Sequence, residues 1–420
     1  MITEAVPADG GVVLAHDYLL VMRGAERTFH AIAGCFPDAP IATLLYDPAA
    51  TGGWFAQREI RTSLLQPLAS DQRHFRRFAP LLLLAARRLK VSDATLVISS
   101  TSSFAHGVRP APDAVHICYC HSPLRYVWHE RDRTERTFPV PVRPVARVVS
   151  RAVRHWDVGA ASRVSAYIAN SELTRRRIQD FYERDAVVVH PPVDISRFTG
   201  APDPRDYFLI VGEVTSHKNI EIALAAAELT RSRVKVVGDG PDLARLRARY
   251  PRAEFLGRVG DGQLSELYRG ARALIVAAIE EFGMTMIEAH AAGRPVVAAA
   301  DGGALEIVTD GITGVLVRPR CIDALAQALR TTDWEGFDAA RLRANAERFS
   351  IAKFRKRFVR AVVALASQQA PVTQVPDEVR VPARRAPGRG SGRPVATLAV
   401  RAMPPRPRPG GSLARSSHRS

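Results

Sequence analysis

One stretch of this chain combines carboxylates with a glycine turn, EEFGMTMIEAH at residues 280–290. Glu280 precedes the turn, and Glu288 falls within a helix that we predict to open near Thr285. A glycine turn before a helix leaves backbone N–H groups at the positive end of the helix dipole, where phosphate binds. A carboxylate beside such a turn can accept two hydrogen bonds from sugar hydroxyls. The pattern favours a ligand with both phosphate and sugar, and exposed helix charges beside a turn are the alternative.

A second stretch, VHICYCHSP at residues 115–123, is rich in sulfur and imidazole. On a strand, His116, Cys118 and Cys120 share one face. His121 lies on the other face, so the four side chains do not converge on one metal ion. The C-x-C spacing is also poor for a redox pair, and we interpret both cysteines as small core residues. His121 ends the predicted strand, where a functional loop would begin.

Alternating apolar runs and helical segments position these stretches, which predicts an α/β fold with parallel sheets. Ligands of such sheets bind at the carboxyl ends of the strands. Helices are predicted over 24–36 and 171–182, with Ser171 as N-cap, and a proline-rich hinge over 190–204. The predicted strands are 11–18, 38–46, 94–100, 113–120 and 166–171 before the hinge, and 207–214, 233–240, 253–259, 271–278, 295–302 and 314–317 after it.

Length and composition divide the 420 residues into two folded domains and a tail. We predict domains at 1–195 and 196–368 and a disordered basic tail at 369–420. Ten arginines and two acids from residue 371 onward account for +8 of the net charge of +17. Four cysteines, no secretory signal and no long apolar run predict a cytoplasmic protein.

The spacing from Glu280 to Glu288 also resembles the E-x-F-G-x-x-x-x-E-A signature of the retaining glycosyltransferases of family 4. The resemblance extends over roughly residues 11–365. It is strongest to bacterial mannosyltransferases of O-antigen and capsule synthesis, through HDYLLVMRGAER, VISSTSSFAHGV and CYCHSPLRYVWHE. It implies the GT-B fold, two Rossmann-like doubly wound domains facing across a cleft. The implied activity is transfer of a hexose, mannose from GDP-mannose, to a glycan or lipid-linked acceptor with retention of configuration.

The same resemblance implies roles for individual residues. Lys218 would neutralise the diphosphate leaving group, Glu280 would lie near the transferred sugar, and His121 would contact that sugar. The implied donor-binding residues are Glu288 for the ribose and Phe282, Gly283 and Met284 for phosphate or sugar oxygens, with Gly24 at a helix N-terminus and Gly240 beside the base.

The chain departs from the family pattern at two positions. Glu213 stands where the family has a phosphate-binding arginine, and we expect Arg258 or other donors to compensate. Arg23 stands where the family has the first glycine of a pair, and we expect it to contact phosphate. The VVGDGP turn does not match a dinucleotide fingerprint, because Leu243 occupies the position of the third glycine.

Acceptor and partner predictions concern the N-terminal half. Ser100, Ser103 and His106 are acceptor-side candidates, with turn formation as the simpler interpretation. The basic stretches 73–90 and 131–157 would rest on anionic lipid at the inner face of the plasma membrane or be solvated helix faces. No Asp-x-Asp pair occurs, so we predict a metal-independent enzyme without cofactors. Two alternatives remain: a nucleotide-sugar 2-epimerase of the same architecture, and a basic nucleic-acid-binding protein.

Overall fold

Two parallel β-sheets organise the chain, as the sequence predicts. The computed structural model describes residues 11–68, 79–198 and 200–369. The first sheet has seven strands in the order β3-β2-β1-β4-β5-β6-β7. These strands are β1 (Gly11–His16), β2 (Ile41–Thr43), β3 (Ile60–Thr62), β4 (Ala94–Thr101), β5 (Val115–Cys120), β6 (Ala166–Ala169) and β7 (Ala186–Val188).

The second sheet has six strands in the order β10-β9-β8-β11-β12-β13. They are β8 (Phe208–Val211), β9 (Val234–Val237), β10 (Glu254–Gly257), β11 (Leu274–Val276), β12 (Val296–Ala299) and β13 (Gly314–Val317). The strand order reverses between β8 and β11, and ligands of doubly wound sheets bind at such a switch point.

Helices cover both faces of each sheet. In the N-terminal domain, built on the first sheet, they are α1 (Gly24–Ala33), α2 (Ala79–Ala86), α3 (Arg131–Thr137), α4 (Arg143–Ala161) and α5 (Glu172–Tyr182). In the C-terminal domain, built on the second sheet, they are α6 (Ile220–Leu229), α7 (Leu243–Arg249), α8 (Asp261–Gly270), α9 (Met284–Ala291), α10 (Ala304–Ile307), α11 (Ile322–Thr331) and α12 (Ala339–Glu347). Helix α13 (Ile351–Gln369) ends the described chain.

Local sequence signals explain several of these boundaries. Ser171 is the N-cap of α5, as predicted, and its hydroxyl accepts from the Thr174 N–H at 3.1 Å. Gly283 precedes α9 with a φ of 102°, a conformation that side-chain-bearing residues rarely adopt. The turn before α9 therefore depends on glycine at this position.

The chain passes between the two domains twice. The first passage joins β7 to β8, and the second joins α12 to α13. The two segments touch, because the Val193 N–H donates to the Phe349 carbonyl at 2.9 Å. Helix α13 then returns to the first sheet, where Phe354, Phe358 and Val362 are buried in the N-terminal core. The N-terminal domain thus includes residues from the end of the described chain.

Strand β5 carries the cysteine- and histidine-rich stretch. Cys118 and Cys120 pack in one cluster with Tyr167 and Tyr182, whereas Tyr119 packs in the core on the other face. Burial raises the pKa of the Cys118 and Cys120 thiols well above their usual range. Both cysteines are core residues, as the sequence predicts.

The predicted tail after residue 369 and residues 73–78 of the first basic stretch lie outside the described residues. Within residues 11–68, 79–198 and 200–369, no helix combines the length and apolar character needed to cross a bilayer.

Candidate functional site

A cleft opens at the switch point of the second sheet. Its apolar wall comes from the ends of β8 and β11, including Ile210 and Ile275. Lys218, Glu280 and Thr285 supply its polar groups. Two residues predicted for the catalytic site, Lys218 and Glu280, therefore line the cleft where this topology places a ligand.

Lys218 and Glu280 form an ion pair in this cleft. The Lys218 Nζ lies 2.8 Å and 2.7 Å from the two Glu280 oxygens. Lys218 lies in a short turn after β8, and Glu280 lies in the loop between β11 and α9. An ammonium group has three donors, so Lys218 can keep Glu280 and still donate to a phosphate oxygen.

The N-terminal ends of α1 and α9 approach each other. A Cβ on Gly24, the first residue of α1, would lie 3.0 Å from the Sδ of Met284, the first residue of α9. Each helix leaves the N–H groups of its first turn without intrahelical partners. Phe282 fixes the start of α9, because its buried ring stacks on His190 at a centroid distance of 5.2 Å. Two positive helix ends thus face one region, a suitable environment for a diphosphate.

The two departures from the family pattern lie against each other. Arg23 Nη1 lies 3.1 Å from Glu213 Oε2, so the pair joins the two domains. Arg258 is exposed and makes no ion pair with any residue in the described ranges. The carboxylate that replaces the expected arginine is therefore neutralised by the arginine that replaces the expected glycine.

Glu288 is oriented by a tyrosine that sequence reasoning missed. The Tyr268 hydroxyl donates to Glu288 Oε2 at 2.7 Å. Burial raises the pKa of Glu288, although this hydrogen bond and the nearby Arg197 and Arg27 oppose the rise. One carboxylate oxygen is held by Tyr268, which leaves the other to accept from a ligand hydroxyl.

Glu281 forms a second set of contacts between the domains, which the sequence did not reveal. Arg177 Nη1 lies 3.2 Å from Glu281 Oε1, and His129 Nε2 lies 3.7 Å from the same oxygen. Burial would raise the pKa of Glu281, but the His129 hydrogen bond and the charges of Arg125 and Arg177 lower it well below its usual range. Glu281 is therefore ionised, and its contacts are with residues of the N-terminal domain.

On the N-terminal side, His121 belongs to a buried polar network. Its Nε2 lies 2.9 Å from the Ser100 hydroxyl. The Ser100 carbonyl accepts from His16 Nδ1–H at 3.0 Å. Burial, reinforced by the nearby His16, lowers the pKa of His121 to about 3. His121 is therefore neutral at physiological pH, able to donate from one ring nitrogen and accept at the other.

Asp17, at the end of β1, holds the loop that follows β4. Its carboxylate is buried and accepts from the backbone N–H groups of Ser102, Phe104 and Ala105, each at 2.7 Å. Its position at a strand end, in the HDY motif, was the available sequence signal.

The remaining predicted residues have structural partners. Ser103 is buried and its N–H donates to the Thr101 hydroxyl at 3.1 Å. His106 is also buried, with Nε2 3.0 Å from Asp157 Oδ1, which favours an anchoring role over contact with an acceptor. Gly240 packs on the loop that leads to Lys218, since a Cβ there would lie 2.3 Å from the Val214 carbonyl oxygen.

Two protein-family models match consecutive parts of the chain. The model described as Glycosyltransferase Family 4 matches residues 22–197, and the model described as Glycosyl transferases group 1 matches residues 194–348. Consecutive parts of the chain are thus similar to two glycosyltransferase models. The junction of the two matches lies in the segment that joins β7 to β8.

Curated relatives match this chain over part of their length. A D-inositol 3-phosphate glycosyltransferase of Mycolicibacterium paratuberculosis is 34% identical over 189 residues, 39% of this chain and 43% of the relative. The corresponding protein of Streptomyces avermitilis is 33% identical over 223 residues, 44% and 47% of the two chains. The chain thus spans less than half the length of these relatives.

Solved structures share the fold over most of the chain. HepE of Anabaena, in complex with UDP and glucose, has a TM-score of 0.61 at 20% identity and covers 84% of this chain and 98% of its own. Sucrose-phosphate synthase of Thermosynechococcus elongatus has a TM-score of 0.57 at 18% identity and covers 85% and 97%. At these identities the likeness establishes the GT-B fold.

Proposed function

We propose that this protein transfers a hexose from a nucleotide sugar to a hydroxyl group of a glycan or lipid-linked acceptor, with retention of configuration. The observation that carries the proposal is the convergence of the α1 and α9 N-termini beside Lys218. This arrangement concentrates positive potential where a diphosphate would leave. The domain matches to glycosyltransferase models support the same reaction class.

In this proposal the chain acts mainly through electrostatics. Lys218 and the backbone N–H groups of residues 282–284 stabilise the departing diphosphate. Glu288, held by Tyr268, accepts from the ribose hydroxyls. Glu280 and neutral His121 bind the sugar. The diphosphate itself takes the proton from the acceptor hydroxyl on the same face, so no carboxylate acts as a nucleophile.

For the donor we propose GDP-mannose, on the motifs shared with bacterial mannosyltransferases, and a role in cell-surface polysaccharide or glycolipid synthesis at the inner face of the membrane. The competing donor is UDP-glucose, because HepE has been crystallised with it. Thermal unfolding of the purified protein with GDP-mannose, UDP-glucose and ADP-glucose decides between them, since the specific donor raises Tm by mass action. Stabilisation by UDP-glucose alone would overturn the mannose assignment, and stabilisation by none would overturn the nucleotide-sugar site.

The two alternative functions have less support. Both family matches are to glycosyltransferases, which favours transfer over epimerisation or nucleic-acid binding. Incubation with donor alone distinguishes the transferase from the 2-epimerase, because an epimerase converts the donor without an acceptor. A nucleic-acid-binding protein would show salt-sensitive binding that disappears on removal of residues 371–420.

A further inference from the structure

Helix α4 presents an unusual surface to solvent. Of its 19 residues only Asp157, Ala160 and Ala161 are buried, all in the last turns. Its exposed side chains include an apolar row at the spacing i, i+3, i+4 and i+7, formed by Val145, Val148, Val149 and Ala152. Val145 and Val148 are each 63% exposed. The first turns of α4 therefore carry an apolar face that nothing in the described chain covers.

The residues before α4 extend this face. Phe138, Val140 and Val142 are all exposed, and Val140 is 69% exposed. Helix α2 adds two more exposed apolar side chains, Leu81 and Leu84. Both α2 and α4 pack against the turn at Ala105–Gly107, so this turn links the two helices.

Positive charge accompanies these apolar side chains. Residues 131–161 contain seven arginines and three acidic residues. Of the acids, Asp157 is fully buried and Glu135 is paired with Arg147 at 3.0 Å. Arg136 and Arg151 are exposed and form no ion pair with residues in the described ranges. The surface is therefore both apolar and cationic.

A second cationic group lies beyond the C-terminal end of α4. Arg109 and Arg163 are exposed, and Arg87 follows α2. Desolvation, with the charges of Arg109 and Arg87, lowers the pKa of Arg163. None of them pairs with a carboxylate among the residues that the structure describes. Like charges gathered without counter-ions suit an anionic partner.

The other face of α4 is fixed to the domain. Asp157 accepts from Trp128 Nε1–H at 2.7 Å and from the Tyr182 hydroxyl at 2.8 Å. This buried carboxylate anchors the end of α4, while the exposed valines are held outward on a rigid element. Helix α4 can therefore bind a partner through its exposed valines without unfolding.

We propose that the segment 138–152, together with Leu81 and Leu84, is the surface by which this protein lies on an anionic lipid bilayer. Valine side chains enter the acyl boundary, and the arginines extend their charged ends to the lipid phosphates. Charge complementarity selects anionic lipid as the occupant, because a helix with a basic flank beside an apolar face lies in the membrane interface.

The position of the surface relates it to the donor site. Helix α3 precedes α4, and the Arg133 side chain on α3 donates to the Ser216 hydroxyl, two residues before Lys218. Docking would thus bring the cleft to the membrane surface, where a lipid-linked acceptor lies. The docking itself is independent of the proposed transferase activity and is measured without donor or acceptor.

Vesicle cosedimentation of the full chain tests the proposal. The wild type should bind vesicles of phosphatidylcholine containing about one third phosphatidylglycerol, bind poorly to phosphatidylcholine alone, and be released by salt. Val148→Glu should weaken binding at least about 10-fold, because it removes apolar insertion and adds a repelled charge. Arg151→Gln should weaken it about 5-fold.

Leu229→Glu is the matched control, since Leu229 is 62% exposed on the C-terminal domain. It should bind vesicles like the wild type, and all variants should keep the wild-type Tm. Binding that is unchanged in Val148→Glu, or equal on neutral vesicles, overturns the proposal. The proposal is also overturned if the wild type is a dimer in vesicle-free solution and Val148→Glu is a monomer, because the apolar face would then be covered by a second copy of the chain.

Discussion

Replacing Lys218 by alanine separates a catalytic role from a structural one. In the folded protein Lys218 and Glu280 are 27% and 17% exposed, so their ion pair is partly screened by solvent. Such a pair contributes about 1 kcal/mol or less to stability, which is roughly 2–4 °C in Tm for a domain of this size. Loss of one preorganised donor to a developing negative charge costs about 10²–10³ in turnover. Lys218→Ala should therefore be nearly inactive and nearly as stable as the wild type.

The assay is the initial rate of sugar transfer at saturating donor, with Tm measured on the same samples. Lys235→Ala provides the control, because Lys235 is 26% exposed and pairs with Glu254 at 3.2 Å in the same domain, outside the cleft. It should lose a similar small amount of stability and keep its turnover.

Two outcomes would refute the reasoning. A Lys218→Ala rate within about 3-fold of the wild type would show that the lysine stabilises no charge in the transition state. An equal loss of rate in Lys235→Ala would show that the effect comes from the stability of the domain.

Three further predictions concern neighbouring groups. Glu213→Gln releases Arg23 for the donor, so donor KM should fall about 3-fold at low salt, with kcat unchanged. Tyr268→Phe removes the hydrogen bond to Glu288 and should weaken donor binding about 5-fold in calorimetry. Burial raises the pKa of Glu26 from 4.5 to about 7, so the folded state binds an extra proton between these values and the unfolding free energy falls as pH rises through them. Glu26→Gln removes this fall and should gain up to about 3 kcal/mol over the wild type in urea unfolding at about pH 8, with little gain at about pH 5. An unchanged donor KM in Glu213→Gln would contradict the first prediction, and an unchanged donor affinity in Tyr268→Phe would contradict the second. An equal gain in unfolding free energy at both pH values in Glu26→Gln would contradict the third.

Local patterns in the sequence predict much of this fold. The apolar runs of β1, β4 and β5 and of all six strands of the second sheet are strong signals, because buried parallel strands carry few polar side chains. Strands β3 and β7 were not predicted, since each has three residues and at least one exposed side chain. Their strand conformation depends on pairing with a neighbour rather than on their own sequence.

The site was predictable where it follows a continuous motif. Lys218 and Glu280 line the cleft, because each lies in a loop that follows a central strand of the second sheet. The ion pair of Arg23 with Glu213 was not predictable, because the partners are separated by 190 residues and meet only when the domains face each other. His106 shows the opposite limit, since a polar residue near a strand end can also be buried beside a charged group, here Asp157.

The return of α13 to the first sheet affects how this chain folds during synthesis. Phe354 and Phe358 complete the N-terminal core, yet the ribosome makes them after the entire C-terminal domain. At typical elongation rates the first sheet waits on the order of ten seconds or more for its last helix. During that interval the apolar surface that α13 will cover is exposed, and chaperones have their opportunity to bind it.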